Sequence, residues 1–404
     1  MKYFAVLGRQ PKISLAELES LFEDVRQIAP NLAEFKSVTP PELEHLGGCL
    51  KIAEVIDGSI LDYLKTLPHD HKITLGVSDF ARQATAKHTG QLALKFKHAL
   101  VRDGYSVRVV PNKEALISSA ASYHNRLGED PWKVELLRLG NRYARVIAVQ
   151  DIEAYVERDQ ARPARDAKVG MLPPKLAQIL INLCGPRPDS AVLLDPFCGT
   201  GVLLQEALLM GYTALGSDLN ERMVEYTERN LGWLNKQVIN APNSVSLSKS
   251  NPLRGRDFDP AQPANSSETF TTRPLQLFQI TQGDATNHTW PQPIDAVACE
   301  TYLGPPMSQP PAEIKLKEAK QECGSIILGF LKNLAKQLKP KTPVTIAVPA
   351  WLRPNGTYER LNLLDEIQNL GYNVESFRNL GQDDLLYHRD GQVVAREIIV
   401  LRKK

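Results

Sequence analysis

Asp195-Pro196-Phe197-Cys198-Gly199-Thr200-Gly201 closes one apolar run and opens another, and the fold turns on how it is read. Ahead of it, Ala191-Val192-Leu193-Leu194 is the short apolar run a buried parallel strand requires. Behind it, Val202-Leu203-Leu204-Gln205-Glu206-Ala207 begins a helix. Glycine at 199 and 201 lets the backbone turn tightly and approach a ligand closely. A second strand-like run, Tyr212-Thr213-Ala214-Leu215-Gly216-Ser217, ends in Asp218-Leu219-Asn220. In a doubly wound sheet an acid at the end of the next strand accepts hydrogen bonds from ribose hydroxyls. The glycine loop and the downstream acid together read as a nucleoside-cofactor site. An ordinary strand-to-helix turn is the plainer alternative, but the combination is far more specific than a lone glycine pair.

The loop's details select the cofactor. A dinucleotide fingerprint, G-x-G-x-x-G, leaves helix N–H groups free for a pyrophosphate. This loop has Asp195 at its head and only two closely spaced glycines. An acid there repels phosphate and suits the cationic amino-acid end of S-adenosylmethionine. On this reading Asp195, Pro196, Phe197, Gly199, Thr200 and Gly201 hold the methionine end, and Asp218 with Leu219 holds the ribose. Gly283-Asp284-Ala285 follows the third strand, where Asp284, beside Ala285, is placed to accept from the adenine amine. Taken singly, Asp218 also reads as a helix N-cap and Asp284 as a turn residue; their order behind the loop favours the joint reading. Glu300-Thr301-Tyr302-Leu303-Gly304 follows the fourth strand at the sheet's carboxyl edge, where such folds place substrate.

The 404 residues suffice for two or three domains. At 43% hydrophobic and 23% charged, the chain has the composition of a soluble globular protein. Its net charge is only +2, so nucleic-acid binding would need a local basic patch. Cys49, Cys184, Cys198, Cys299 and Cys323 are scattered without C-x-x-C spacing, which argues against zinc and against a disulfide framework. His69-Asp70-His71 lacks a third ligand at useful spacing and reads as a polar turn after Pro68, so no metal is expected. There is no basic-then-apolar leader and no apolar run of about 18 residues. The expectation is a cytoplasmic enzyme without membrane association.

The fold class read from the order of elements is α/β: a Rossmann-like, mostly parallel sheet with an antiparallel edge strand, preceded by α+β domains. Residues 3–8 read as a strand and lead to a helix with Ser14 as N-cap and Glu17 three residues on, a capping box. Further on, strand 73–77, helix 90–102, strand 105–110, helix 116–127 and a hairpin from 134–139 and 143–150 carry no catalytic constellation and read as a binding module. Residues 153–175 are polar, basic and proline-bearing, as a linker would be, and run into an apolar helix at 176–183. Strand 191–194, helix 202–210, strand 212–217 and helix 221–234 follow. From about 240 to 275 an Asn-, Ser-, Pro- and Thr-rich stretch reads as a flexible insertion. The order resumes with strands 278–281 and 296–299, helix 312–336, strand 344–348 and helix 358–370. Residues 374–378 and 393–401 read as an antiparallel edge pair.

The C-terminal half resembles the THUMP-containing tRNA guanine-N2 methyltransferases, and the resemblance extends over nearly the whole chain. Residues 2–21 resemble that family's N-terminal ferredoxin-like domain, which implies such a domain at 1–55. Residues from about 60 to 150 resemble its THUMP domain, particularly 106–110 and 116–127, implying an RNA-binding domain at 56–152. Arg162-Pro163 and Met171-Leu172-Pro173-Pro174-Lys175-Leu176-Ala177 resemble its segment entering the catalytic domain, here 176–404. That segment packs against the cofactor and adds Met171 to the cofactor set. Tyr387-His388-Arg389 through Arg396-Glu397-Ile398 resembles its closing hairpin. One motif departs. The family carries (D/N)-P-P-(Y/F) after the fourth strand, where this chain has Glu300-Thr301-Tyr302-Leu303 followed by Gly304-Pro305-Pro306.

The resemblance implies methyl transfer from S-adenosylmethionine to the exocyclic N2 amine of guanine in tRNA. Glu300 would accept from the amine, and Tyr302 would stack on the flipped base. Lys95, Lys97 and Arg108, with Arg102 and Lys113, would contact phosphates from the THUMP-like part. Arg162 and Arg165, with Arg158 and Lys168, would do so from the linker. A DNA amino-methyltransferase and a cofactor-binding but inactive RNA-binding protein remain as alternatives, and a small activator subunit is left open.

Overall fold

A computed structural model describes residues 1–166, 171–240 and 277–404. The expected insertion lies, beyond residue 240, outside the described residues, as does Lys168. The chain divides into two units, one of residues 1–158 with 377–385, the other of residues 159–376 with 386–404.

The first unit runs β1 (Lys2–Leu7), α1 (Pro11–Leu21), β2 (Glu23–Ala29), β3 (Leu32–Lys36), β4 (Cys49–Ile56), α2 (Ile60–Lys65), β5 (Ile73–Asp79), α3 (Ala86–Arg102), β6 (Val107–Val109), α4 (Ser119–His124), β7 (Lys133–Leu139) and β8 (Arg142–Val149). These strands make one sheet in the order β2-β3-β1-β4-β8-β7-β5-β6, so the sheet runs unbroken through the parts read separately as 1–55 and 56–152. β4 pairs directly with β8 across that boundary. α1 starts at Pro11, whose missing N–H costs nothing in a first turn. The expected capping box is absent. Ser14 lies inside the helix, and Glu17 turns inward to accept from the backbone N–H groups of Gly47 (2.9 Å) and Gly48 (2.8 Å). Two otherwise unserved buried donors claim the acid. The helix expected over 116–127 shortens to α4, whose start is capped by Ser118 Oγ accepting from the Ala121 N–H (3.2 Å). Buried Glu135 accepts from Lys51 Nζ (2.6 Å), Ser78 Oγ (2.7 Å) and Ser122 Oγ (2.6 Å).

Residues 377–385 pack within this unit although they follow most of the second in sequence. Glu19 accepts from the Arg378 N–H (2.7 Å) and from Asn379 Nδ2 (2.6 Å). Leu380 packs on the core of Tyr3, Leu15 and Phe35.

The polar stretch expected as a linker opens with a helix, α5 (Ile152–Gln160). The second unit then runs α6 (Pro174–Asn182), β9 (Val192–Asp195), α7 (Val202–Leu209), β10 (Thr213–Asp218), α8 (Glu221–Asn240), β11 (Phe278–Gln282), β12 (Ala296–Glu300), α9 (Glu313–Leu334), β13 (Pro343–Leu352), β14 (Tyr358–Glu359), α10 (Leu364–Asn369), β15 (Tyr372–Val374), β16 (Leu386–Tyr387) and β17 (Val394–Lys403). Its sheet has the order β11-β10-β9-β12-β13-β17-β15, with β14 on β13 and β16 on β17. β11 through β13 are mutually parallel, and β17 is antiparallel to β13 and β15. α9 presents Leu316, Ala319, Cys323, Ile327, Phe330, Leu331 and Leu334 to the core at helical spacing. Each large side chain buried there contributes about 1.5–3 kcal/mol.

One expectation here is corrected and one is refined in its bounds. The helix expected over 358–370 begins instead with β14, because the chain turns at 353–357 and folds back on β13. Arg353 N–H donates to Thr357 O (2.7 Å), and Gly356 sits at φ 84°. The antiparallel edge pair expected from 374–378 and 393–401 forms as edge strand β15 on β17, where Val374 pairs with Leu401 and the Glu375 N–H donates to Val400 O (2.8 Å), but the edge strand starts two residues earlier, at Tyr372.

β9 decides where a ligand can go. From β9 the chain steps outward to β10 and β11, then resumes on β9's other side with β12 and β13. The switch between β9 and β12 opens a crevice beyond their carboxyl ends.

Candidate active site

The loop after β9 is held from several directions. Gly199 and Gly201 have φ of 51° and 81°, where a side chain is strained. A Cβ on Gly201 would also lie 2.9 Å from Thr227 Cγ2. Cys198 N–H donates to Ser217 O (3.0 Å) and Gly199 N–H to Asp218 Oδ2 (2.9 Å), which ties the loop to the end of β10. From α8, Thr227 Oγ1 donates to Gly199 O (2.8 Å). Buried Asn230 donates through Nδ2 to Thr200 O (2.8 Å) and Ala164 O (2.9 Å), and accepts from Ala164 N–H (2.9 Å). It therefore fixes the loop and the segment leading into the domain at once. Sequence reasoning missed Thr227 and Asn230. Their signal was position: both fall on the inward face of α8 with Met223, Leu231 and Leu234.

Three acids gather at the strand ends. Asp195 is buried, accepts from the Phe197 N–H (3.1 Å), and is pushed well above the usual carboxylate range, by burial first and then by Asp218 and Glu300. Asp218 is raised by burial, against the pull of hydrogen bonds from Asn220 (2.9 Å) and Gly199. Two backbone donors leave lone pairs free on its carboxylate, so ribose hydroxyls can still be accepted. Asp218 is not the N-cap of α8; Asn220 is, accepting from the Arg222 N–H (3.0 Å). Leu219 is 69% exposed beside it. Pro196 is buried, and the Phe197 ring packs edge-on against Phe330 at 5.1 Å, so both support the loop from the core side. Asp284 Oδ1 accepts from Thr286 N–H (2.9 Å) and Oγ1 (2.8 Å), an Asx turn. Ala285 corrects an expectation: its side chain belongs to the hydrophobic core and its carbonyl accepts from Asn333 Nδ2 (3.1 Å).

At the end of β12, Glu300 Oε1 accepts from Arg396 Nε of β17 at 2.6 Å. Thr301 donates both its N–H (3.0 Å) and its Oγ1 hydroxyl (3.1 Å) to Ala347 O of β13. Those two bonds stiffen the loop where the resembled family has prolines. Tyr302 is 36% exposed.

The basic residues divide. Lys95 is exposed and Lys97 half-buried on α3; Arg108 is exposed on β6 and donates to Asn125 Oδ1 (2.9 Å). Arg165 is exposed and donates to Gln160 O (3.3 Å). Arg162 overturns its expected phosphate role, because its side chain is fully buried and faces Thr200 and Met171. His69 and His71 stack on Tyr105 (3.6 Å) and Trp132 (3.8 Å). Among the described residues no group of His, Cys, Asp and Glu is arranged to hold a metal, and no described helix is long and apolar enough to cross a membrane.

A family model described as RMKL-like, methyltransferase domain, matches residues 162–324. Those residues are a methyltransferase domain. The match begins at Arg162 and takes in the loop, Asp218 and Glu300. The tRNA (guanine(10)-N2)-dimethyltransferase of Methanothermobacter thermautotrophicus is 40% identical over 108 residues, 26% of this chain and 31% of the relative, so the match spans under a third of that protein. The enzyme of the same name from Pyrococcus abyssi is 26% identical over 299 residues, 69% of this chain and 82% of the relative. The crystal structure of TrmN from Thermus thermophilus is similar at TM-score 0.48 and 16% identity, with 100% of each chain covered.

The residues at these strand ends fit S-adenosylmethionine. The strand-end acids repel phosphate and favour a cation. The backbone at Gly201 leaves no room for a Cβ, as a close-approach loop requires. Asp218 retains acceptor capacity for hydroxyls.

Proposed function

We propose that this chain methylates the exocyclic N2 amine of a guanine in tRNA. The observation that carries the reading is the placement of Asp195, Asp218 and Glu300 at the carboxyl ends of β9, β10 and β12, beside the switch point of a methyltransferase domain. It is supported by the Pyrococcus abyssi relative, whose name states that reaction and which aligns over 82% of its length.

When bound, S-adenosylmethionine supplies an electrophilic methyl group. The work left to this chain is alignment and charge stabilisation. Asp195 and the loop hold the amino-acid end, and Asp218 takes the ribose hydroxyls. The amine donates its N–H groups to Glu300 and to the Thr301 carbonyl, which stabilise positive charge as it grows on nitrogen. Tyr302 stacks on the base once it leaves its helix. Lys95, Lys97 and Arg108 of the first unit supply phosphate contacts whose strength falls with salt.

The test is methyl transfer from labelled S-adenosylmethionine to an unmodified tRNA transcript, followed by nucleoside mass spectrometry. N2-methylguanosine, with one methyl or two, is the expected product. A different methylated nucleoside, or transfer to duplex DNA but not tRNA, overturns the reading. One observation favours a second reading, a cofactor-binding RNA protein without transferase activity: Arg396 already occupies one oxygen of Glu300. Cofactor binding with no transfer to any tRNA would select it.

A further inference from the structure

Arg162 is a buried cation with too few partners. Its side chain has no exposed surface; its ion-pair partner Asp159 is 44% exposed and 3.5 Å away, and buried Glu206 acts on it through its charge. The remaining contacts are long as well: 3.4 Å from NH1 to Thr200 Oγ1, 3.4 Å from NH2 to Asp159 O, and 3.5 Å from NH2 to Met171 Sδ. Among the described residues, Nε is buried with no hydrogen-bond partner. A guanidinium removed from water ordinarily takes a carboxylate in a paired, planar arrangement at shorter range.

A second feature at the same loop points the same way. Thr200 immediately precedes Gly201, the N-cap of α7. That helix has neither a side-chain cap nor an acid in its first turn, so its own residues leave its positive end unserved. An unsatisfied guanidinium and an uncapped helix start converge on Thr200. Together they describe a site for an anion.

Charge decides which anion. Asp195, Asp218 and Glu300 sit at the neighbouring strand ends and repel a phosphate, whether of RNA or of a pyrophosphate. A single carboxylate carried in by a molecule that is otherwise cationic meets that condition. We propose that Arg162 binds the α-carboxylate of the amino-acid end of S-adenosylmethionine, a role that rests on that cofactor being the one used. Asp195 then serves the ammonium group of the same zwitterion, so each charge of the amino-acid end meets its opposite. Asn230, which holds both Ala164 and Thr200, sets the spacing between the arginine's segment and the loop.

The test is titration calorimetry of the full chain with S-adenosylmethionine and with its decarboxylated analogue. Wild type is expected to bind the analogue more weakly by roughly 10- to 150-fold, the range for one hydrogen-bonded charged contact. Arg162→Met is expected to weaken S-adenosylmethionine by a similar factor and to leave the analogue's affinity unchanged. Arg162→Lys, which keeps the charge and loses the fork, should fall between. Equal loss for both ligands in both variants overturns the proposal, because it marks a structural role. Unchanged affinity for S-adenosylmethionine in Arg162→Met, or a loss of tRNA binding alone, overturns it as well. Wild type that binds neither ligand overturns the cofactor assignment and this role with it.

Discussion

Asp218 ties the loop through the Gly199 N–H, and two substitutions separate that tie from its proposed role in cofactor binding. Asp218→Ala removes acceptors from the Gly199 and Asn220 N–H groups. Asn220 is exposed, so water replaces its lost partner at little cost. The Gly199 N–H is half-buried, and leaving such a donor unserved costs about 1–3 kcal/mol. Against this stands a gain. Asp218 is held above its ordinary carboxylate range by burial, so the group stabilises the fold below its unfolded pKa and loses that contribution as pH rises through the folded value. At neutral pH the alanine relieves the penalty of burying the charge. The net loss of stability should be about 1 kcal/mol, a shift in melting temperature of about 2–4 °C for a domain of this size.

Cofactor affinity should respond more strongly. A charged acceptor for two hydroxyls is worth about 1.5–3 kcal/mol, so Asp218→Ala should weaken S-adenosylmethionine by roughly 10- to 150-fold. Asp218→Asn keeps an oxygen for Gly199 and should melt close to wild type while still binding the cofactor less tightly. Urea unfolding and calorimetry on the three proteins provide both readouts. Unchanged affinity in the alanine variant would refute the ribose assignment, and equal destabilisation by asparagine and alanine would refute the account of the loop tie.

Gly201→Ala should destabilise the second unit by about 2–4 kcal/mol, from a left-handed backbone and a collision with buried Thr227; a wild-type thermal melt argues against it. Asp195 is protonated more readily than a free acid in the unliganded fold, so S-adenosylmethionine affinity should rise with pH through that elevated pKa as the ionised form meets the ammonium group. Affinity that stays flat across a calorimetric pH series would contradict this. Glu300→Gln should slow methyl transfer by roughly 10²-fold or more with the cofactor dissociation constant unchanged, and full transfer activity would remove Glu300 from the mechanism.

The strands and helices that build the crevice were legible because each carried two agreeing signals. β9 and β10 are apolar runs that stop at an acid, and the glycines between β9 and α7 announced a turn that other residues resist. Elements that failed carried one signal or a misleading one. β2 is an edge strand with only Val25 buried, so Glu23, Asp24, Arg26 and Gln27 hide the alternation that marks a strand. Ser14 and Glu17 have capping-box spacing, but the proline three residues earlier had already started the helix. The return of 377–385 to the first unit rests on hydrogen bonds to Glu19, a residue 359 positions away, and no local pattern encodes such a partner.

The same distinction governs the site. Asp195, Asp218 and Glu300 could be found because each ends a strand, and strand ends are visible in sequence. What each carboxylate does depends on what it faces, and that comes from elsewhere in the chain. Glu300 shows it best. Its extra methylene relative to the resembled family's acid looks like a loss of fit when read alone. In the structure the longer side chain meets Arg396, 96 residues later on β17, while Thr301 is pinned to β13 by two hydrogen bonds in place of the absent prolines. Anchoring one oxygen fixes the direction of the other, and a pinned Thr301 fixes the carbonyl beside it. The two proposed acceptors would therefore be set in place by a different combination of residues, one a lengthened acid with its own cation and the other a hydroxyl-stapled turn. On the proposed role, the motif departs from the resembled family in letters while keeping what an amine acceptor would need, which is orientation settled before the substrate arrives.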